Sequence, residues 1–562
     1  MKKLYSLIGG LIISAGISAQ NIVNITDASL QGNQTYNWTN NNVYLLDGLV
    51  FLESGGVLNI QEGTVIKFTP RADLGNPSAL VICRGAKIYA NGTAANPIIF
   101  TAEDDDVNDP DDLGPGDVSL WGGLVILGRA YTEKNGNTEV NVEGIPTNEP
   151  RGLYGAPAGS AVNNDTSGVI RYISVRHGGR EIASGNELNG ITLGAVGSGT
   201  VMEYIEVYAN SDDGIEFFGG SVNLKYATVA FCEDDSYDWD ETWTGKGQFW
   251  FSIQRADVAD AGWECDGSTP DDTGIPSNPT VYNATHIGSG IGAAAANPVG
   301  IILRAGTQGR IANSIVADMK GKGIEIQDKP ANTTTDAFAQ LENGNLKFRN
   351  NIFWRIGSNT TMDTTVSNSV IRFTANSAQA NRQVIADSLN SWSNIIVPAN
   401  GNLLRSISRT QNNALDPRPF ATTEALTTTL AALPTGDAFF TNVNFKGAFG
   451  PHSTDLWLRG WSALHRNNHL LDVTSIDENA DNFASVNVYP NPANNTFTVA
   501  FNSESPVNID IININGQLVK SINVNTVGFN TQLVDVNDLS TGVYIVRLSN
   551  GYNVHTQKLV IE

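Results

Sequence analysis

The sequence predicts an all-β protein: a parallel β-helix passenger followed by a small C-terminal β-sandwich. Apolar runs of four to six residues recur from about residue 25 to 475, separated by Gly and Asn, with few helix signals. A repeat of 22 residues runs through the middle of that stretch. The last 77 residues alternate apolar and polar side chains between Asn-Gly and Thr-Gly dipeptides, the pattern of strands joined by tight turns.

The chain opens with a basic Met1-Lys2-Lys3, an apolar stretch from Leu4 to Ile17 and small residues at Gly16, Ser18 and Ala19. Residues 1–19 therefore read as a secretory signal peptide, too short to span a bilayer. The first cysteine is Cys83, which argues against a lipid anchor at the cut. No later segment is long and apolar enough for a transmembrane span. The net charge is −23, and losing Lys2 and Lys3 makes it more negative. Bulk electrostatics then exclude nucleic acid and anionic membrane as partners. Divalent cations, or solubility alone, remain. Three cysteines are too few for a disulfide scaffold. Cys232 and Cys265 fall in neighbouring coils, so a disulfide and free buried thiols are both open.

Residues 20–475 form the expected passenger. Short apolar runs such as Val57–Ile60, Thr64–Phe68, Ala79–Ile82 and Leu124–Leu127 are strands too short to fold alone. Tyr204-Ile205-Glu206-Val207 matches Tyr226-Ala227-Thr228-Val229 at a spacing of 22. The same spacing carries Asp212-Asp213 onto Asp234-Asp235, and Ile215-Glu216-Phe217 onto Tyr237-Asp238-Trp239. Trp263-Glu264-Cys265 is a third, slipped copy. Gly190–Leu193 recurs as Gly300–Leu303, an offset of about 110 residues, or five coils of 22. Such a period, with Gly and Asn corners, is what a stacked β-coil needs. Known β-helices favour a right-handed coil. Residues 360–440 have weak periodicity and cannot be assigned to coils.

Strand alternation places Glu216, Asp238 and Glu264 on the outer face if their apolar neighbours face the core. Stacked carboxylates repel, and a cation such as Ca²⁺, raised pKa values or solvent screening would compensate. Asp212, Asp213, Asp234 and Asp235 at the adjoining corner are the candidate metal ligands. The run Glu103–Asp112 reads as an exposed loop, solvated or holding a cation. Trp239, Trp243, Trp250 and Trp263 crowd near the acids. They read either as platforms for sugar rings or as an aromatic core ladder. Trp457 and Trp461 are expected to close the open end of the coil.

If the acidic face were catalytic, Asp212, Asp213 and Asp238 would be its acids. Arg176, His177 and Lys246 would be the nearby basic groups. His177 reads more simply as a surface or turn residue. Asp212-Asp213-Gly214 resembles the paired aspartates of polygalacturonases. The Gly-His-Gly and Arg-Ile-Lys of that family are missing, and Arg176-His177-Gly178-Gly179 lies upstream of the acids. No zinc spacing, nucleophile elbow or phosphate loop is evident in the sequence.

The C-terminal segment opens with Val486-Asn487-Val488-Tyr489-Pro490-Asn491-Pro492. It continues through Ile509–Gln517 and Asp538–Leu548 and closes with Lys558–Glu562. It resembles the C-terminal sorting domain of the type IX secretion system of Bacteroidota. The resemblance implies export across the outer membrane, handling by that machinery and removal by its sortase-like peptidase. A linker is expected at residues 476–485, ahead of a sorting domain at 486–562. The passenger carries Trp121-Gly122-Gly123-Leu124-Val125-Ile126-Leu127-Gly128 and Asp212–Gly220. It resembles large β-helical extracellular proteins of bacteria, a likeness that brings no activity with it. The expected function is therefore a secreted cell-surface protein, non-catalytic, in adhesion or glycan binding that uses Ca²⁺. The binding residues would be Glu216, Asp238 and Glu264 with Trp239, Trp243, Trp250 and Trp263. The partner would be an extracellular polysaccharide. The alternatives are a polysaccharide lyase or glycosidase on the same face, and a structural surface protein.

Overall fold

The computed structural model describes residues 20–562 except 72–75, 181–186, 271, 296–298, 330–333, 365, 375–382, 452–455, 472–483, 504–505, 515, 527 and 550–553. The expected signal peptide and most of the expected linker lie outside the described residues. The chain divides into two compact units, one reaching to Leu470 and one starting at Leu471.

The first unit is a parallel β-helix with three faces. The first two share an 18-stranded sheet because strands Gly168–Arg176, Val201–Tyr208, Asn223–Ala230 and Lys246–Ile253 run across the corner between them. The third face is a separate ten-stranded sheet from Leu49–Leu52 to Ile371–Thr374. Its neighbours are parallel and in register: Ile191↔Ile215, Ile215↔Tyr237, Tyr237↔Trp263 and Trp263↔Ile301. The echo between Gly190 and Gly300 therefore spans four coils, not five. The corners after Ile253, Cys265 and Ile287 are long and absorb the missing coil's length.

A bend in the left-handed region makes the corner between the first two faces. Tyr172, Tyr204, Tyr226 and Phe249 occupy it with φ of 47°, 56°, 56° and 59°. That conformation is costly for bulky residues. Face-to-face stacking offsets it, with ring centroids 4.2, 4.5 and 4.9 Å apart down the column. Asn283, Asn313 and Asn350 take over the same corner, where Asn tolerates positive φ. Their amides donate to the carbonyls of Phe445, Ala431 and Thr429 and tie down the returning chain.

Residues 360–440 finish the coil and then leave it. Ile371–Thr374 and Ile395–Val397 are its last strands, and Ile385, Ala386 and Leu389 of helix Gln383–Ser391 join its core. The chain after Val397 covers the outer side of the second face and builds a second apolar core there. Trp457 and Trp461 belong to that cover, edge-on to Tyr204 and Tyr172. They pack on a side of the coil rather than closing its end.

Glu206 fastens this cover. It is fully buried on the second face and accepts N–H groups of Ala463 (2.5 Å) and Leu464 (3.3 Å) and the Ser174 hydroxyl (2.6 Å). Glu206→Ala strands those donors, and stability is expected to fall by about 3 kcal/mol. Denaturant unfolding of the full chain measures it, and a loss below about 1 kcal/mol would make the latch incidental.

Among its described residues, the second unit holds seven antiparallel strands in a three-stranded and a four-stranded sheet, the expected small sandwich. Phe497, Val499, Phe501, Ile509, Ile511, Val546, Leu548 and Leu559 fill it. Cys83, Cys232 and Cys265 are buried and free, so the Cys232–Cys265 disulfide does not form. Burial pushes the Cys83 thiol up to about 12. The acidic loop largely satisfies itself: Asp105 accepts from Thr101, Asp106 N–H donates to Asp112 and Asp111 N–H to Asp109.

Candidate metal centre

Three successive coils build the site on the outside of the third face. Strands Ile215–Phe218, Tyr237–Asp240 and Trp263–Cys265 pair with Glu216↔Asp238↔Glu264 in one column. Ile215, Phe217, Tyr237, Trp239, Trp263 and Cys265 are buried in the core, so alternation turns the three acids outward. The corner before each strand adds Asp212 and Asp213, then Asp234 and Asp235, then Asp260. Asp213 Oδ1 accepts the Asp235 N–H (3.0 Å), and Asp235 Oδ1 accepts the Ala261 N–H (2.5 Å). Asp213 and Asp235 are thus each clamped by the next coil.

An insertion between strands Leu124–Leu127 and Gly168–Arg176 lies over the neighbouring coils. Tyr154 Oη donates to Glu241 (2.5 Å) and Lys134 pairs with it (2.8 Å), which anchors the insertion. Glu143 of this insertion, with Glu187 and Asn189, completes the wall of a cavity of about 340 Å³. Ten of its eleven lining residues are carboxylic acids, so the site is chemically uniform.

Carboxylate oxygens of Asp213, Glu216 and Asp238 lie within 4.8 Å of one another. So do those of Asp212, Asp213 and Asp234, and those of Asp234, Asp235 and Asp260. Asn189 donates to Glu216 Oε2 (2.5 Å). Asp238 Oδ1 is buried with no hydrogen-bond partner, on a residue only 8% exposed. Burial, reinforced by neighbouring carboxylates, drives Asp213, Glu216, Asp235 and Asp238 well above the ordinary carboxylate range. Burial with Glu187 and Asp234 pushes Asp212 up to about 7. Burial likewise takes Glu264 up to about 7 against the pull of Arg304. Arg304 bonds Glu264 and Asp266 and closes this side of the column.

Oxygen-only donors at this density suit a hard divalent cation, Ca²⁺ above all, and not a thiolate or imidazole metal. Asp213, Glu216 and Asp238 would hold it, and Asp238 supplies the buried oxygen that needs one.

The structure brings together Asp212, Asp213, Glu216, Asp234, Asp235, Asp238 and Glu264. It does not bring the basic candidates to them. Arg176 is buried and donates to Ser174 Oγ (2.8 Å). His177 sits at a turn but is buried rather than on the surface, its Nδ1 donating to the Asp117 carbonyl (2.5 Å). Lys246 pairs with Asp437 (2.5 Å). Trp239, Trp243, Trp250 and Trp263 are at most 2% exposed, which corrects the expected sugar platform. Their rings fill the coil, where the apolar gain is largest. Glu143, Glu187, Asn189 and Asp260 are the members that sequence reasoning missed. Asp260 alone carried a signal, as the slipped third copy of the corner aspartates.

Fold and site define a parallel β-helix protein with an acidic outer face. The chain belongs to the family described as the pectate-lyase like beta helix domain, which matches residues 31–396. The secretion system C-terminal sorting domain matches residues 487–562, so the protein is handled by that export machinery and delivered to the cell surface or beyond. Among the described residues, no helix is long and apolar enough to cross a membrane. An endo-acting ulvan lyase of Formosa agariphila is 29% identical over 103 residues, 18% of this chain. The chain covers only 19% of that lyase's length.

Proposed function

We propose that this exported protein is a non-catalytic surface binder whose third-face pocket takes up Ca²⁺ and holds extracellular glycan there. The single observation that carries the reading is Asp238 Oδ1, buried and unpartnered among Asp213, Glu216 and their neighbours. A buried carboxylate without a donor is costly, and a cation removes the cost. The sorting domain is removed by the sortase-like peptidase after export, leaving the β-helix to act.

The test is a calcium titration with thermal melts at two pH values. The acids have raised folded values, against about 4 in an unfolded chain. Without metal, their stability contribution is whole below about pH 4 and is lost as pH rises toward 7 and beyond. Ca²⁺ competes with protons for the same oxygens. It is therefore expected to raise the melting temperature by about 5 °C at pH 7.5 at saturating metal, and by much less near pH 5. No shift at either pH would sink the reading.

Cleavage of polysaccharide is the second reading. It is supported by the partial similarity to a ulvan lyase and by the position of Asp212 and Glu264 near 7, where a carboxylate can exchange protons. Incubation with a polysaccharide panel separates the two. New reducing ends or unsaturated ends, lost on Asp213→Asn, would replace binding by catalysis. No ligand of any kind would leave a structural surface role.

A further inference from the structure

One Ca²⁺ on Asp213, Glu216 and Asp238 leaves most of the acidic groups of this pocket unengaged. That triad uses three carboxyl groups, while ten line the cavity. Among the described residues, no Lys or Arg lines it. The neighbouring Arg304 is already committed to Glu264 and Asp266. Recognition of uronate or sulfate groups uses guanidinium or ammonium donors. A polyanionic chain would instead meet like charge here, even around bound calcium.

The space and the rim point to the opposite chemistry. A cavity of about 340 Å³ exceeds the needs of an ion and reaches the size of small-ligand pockets. Asp238 is one of its lining residues, and its Oδ1 is buried and unpartnered. At the mouth, Asp234 and Asp260 are exposed and share a cluster with buried Asp235, their oxygens within 4.8 Å. Three carboxylates so placed match the three N–H donors of one ammonium group.

Resting on the cation-binding reading above, we propose that the glycan this pocket accepts is cationic. It is an amino-sugar chain whose ammonium groups pair with Asp234, Asp235 and Asp260. The same face rejects uronate and sulfate polymers.

The full exported chain is titrated calorimetrically with glucosamine oligomers, N-acetylglucosamine oligomers of equal length and galacturonate oligomers, each with and without Ca²⁺. Calcium alone is titrated in parallel. Glucosamine oligomers are expected to bind, with affinity falling as salt rises. Asp234→Asn combined with Asp260→Asn is expected to weaken them about tenfold. Both residues are exposed, so the variant keeps its fold, which an unchanged unfolding transition verifies. Equal binding by the acetylated or galacturonate oligomers overturns the proposal. So does silence from all three sugars while calcium binds. Glucosamine binding without calcium binding overturns the calcium reading alone, and silence from both overturns the two together.

Discussion

Asp238→Asn is expected to weaken calcium binding by about a hundredfold, roughly 3 kcal/mol. The change removes one charged ligand from the triad of Asp213, Glu216 and Asp238 while keeping its shape. The same change is expected to act in the opposite direction on the metal-free protein. Asp238 stacks between Glu216 and Glu264, and burial above all, then both carboxylates, push its proton affinity up. The folded parent keeps this buried carboxyl protonated at a cost that grows with pH, whereas Asn is neutral at every pH, so the variant should melt higher than the parent at neutral pH in chelator. Calcium calorimetry and paired melts measure both effects. Weaker binding with higher apo stability is the signature of a ligand in a strained acidic site. Unchanged calcium affinity would remove Asp238 from the site, and lower apo stability would give it a structural role.

How much of this was legible turns on the phase of each strand. Ile215-Glu216-Phe217, Tyr237-Asp238-Trp239 and Trp263-Glu264-Cys265 repeat as apolar-acid-apolar triplets, and stacking follows from the repeat. The same alternation already assigns Trp239 and Trp263 to the core, since each flanks an outward acid. Treating them as sugar platforms set aside the rule that placed the acids. Trp250 is different. Phe249 before it has positive φ, which breaks alternation at the bend, so no parity count reaches Trp250. Trp243 follows Glu241 and Thr242, both also at positive φ. Glu143 comes from the insertion and joins the site through contacts anchored at Glu241, far away in sequence. A period in one chain segment cannot report a neighbour supplied by another.

Trp250→Ala is expected to cost about 4 kcal/mol of stability, as deletion of a fully buried aromatic in a packed core does. The indole is 0% exposed and donates to the Leu224 carbonyl (2.9 Å). It stacks on Tyr237 (centroids 4.6 Å) and lies parallel to Phe217 (5.9 Å). It also lies over Gly247, where an added Cβ would come within 2.6 Å of the ring. Collapse into the void is hindered, because the stacked strands on either side fix the distance between coils at about 4.8 Å. The packing of Tyr237 holds one side of the strand whose other side presents Asp238. Calcium affinity is therefore expected to fall together with stability, in contrast to Asp238→Asn, where the two move apart. Denaturant midpoints with calcium calorimetry separate the cases. A Trp250→Ala protein of parental stability that lost only glycan binding would return the ring to the surface and reverse the assignment of the core.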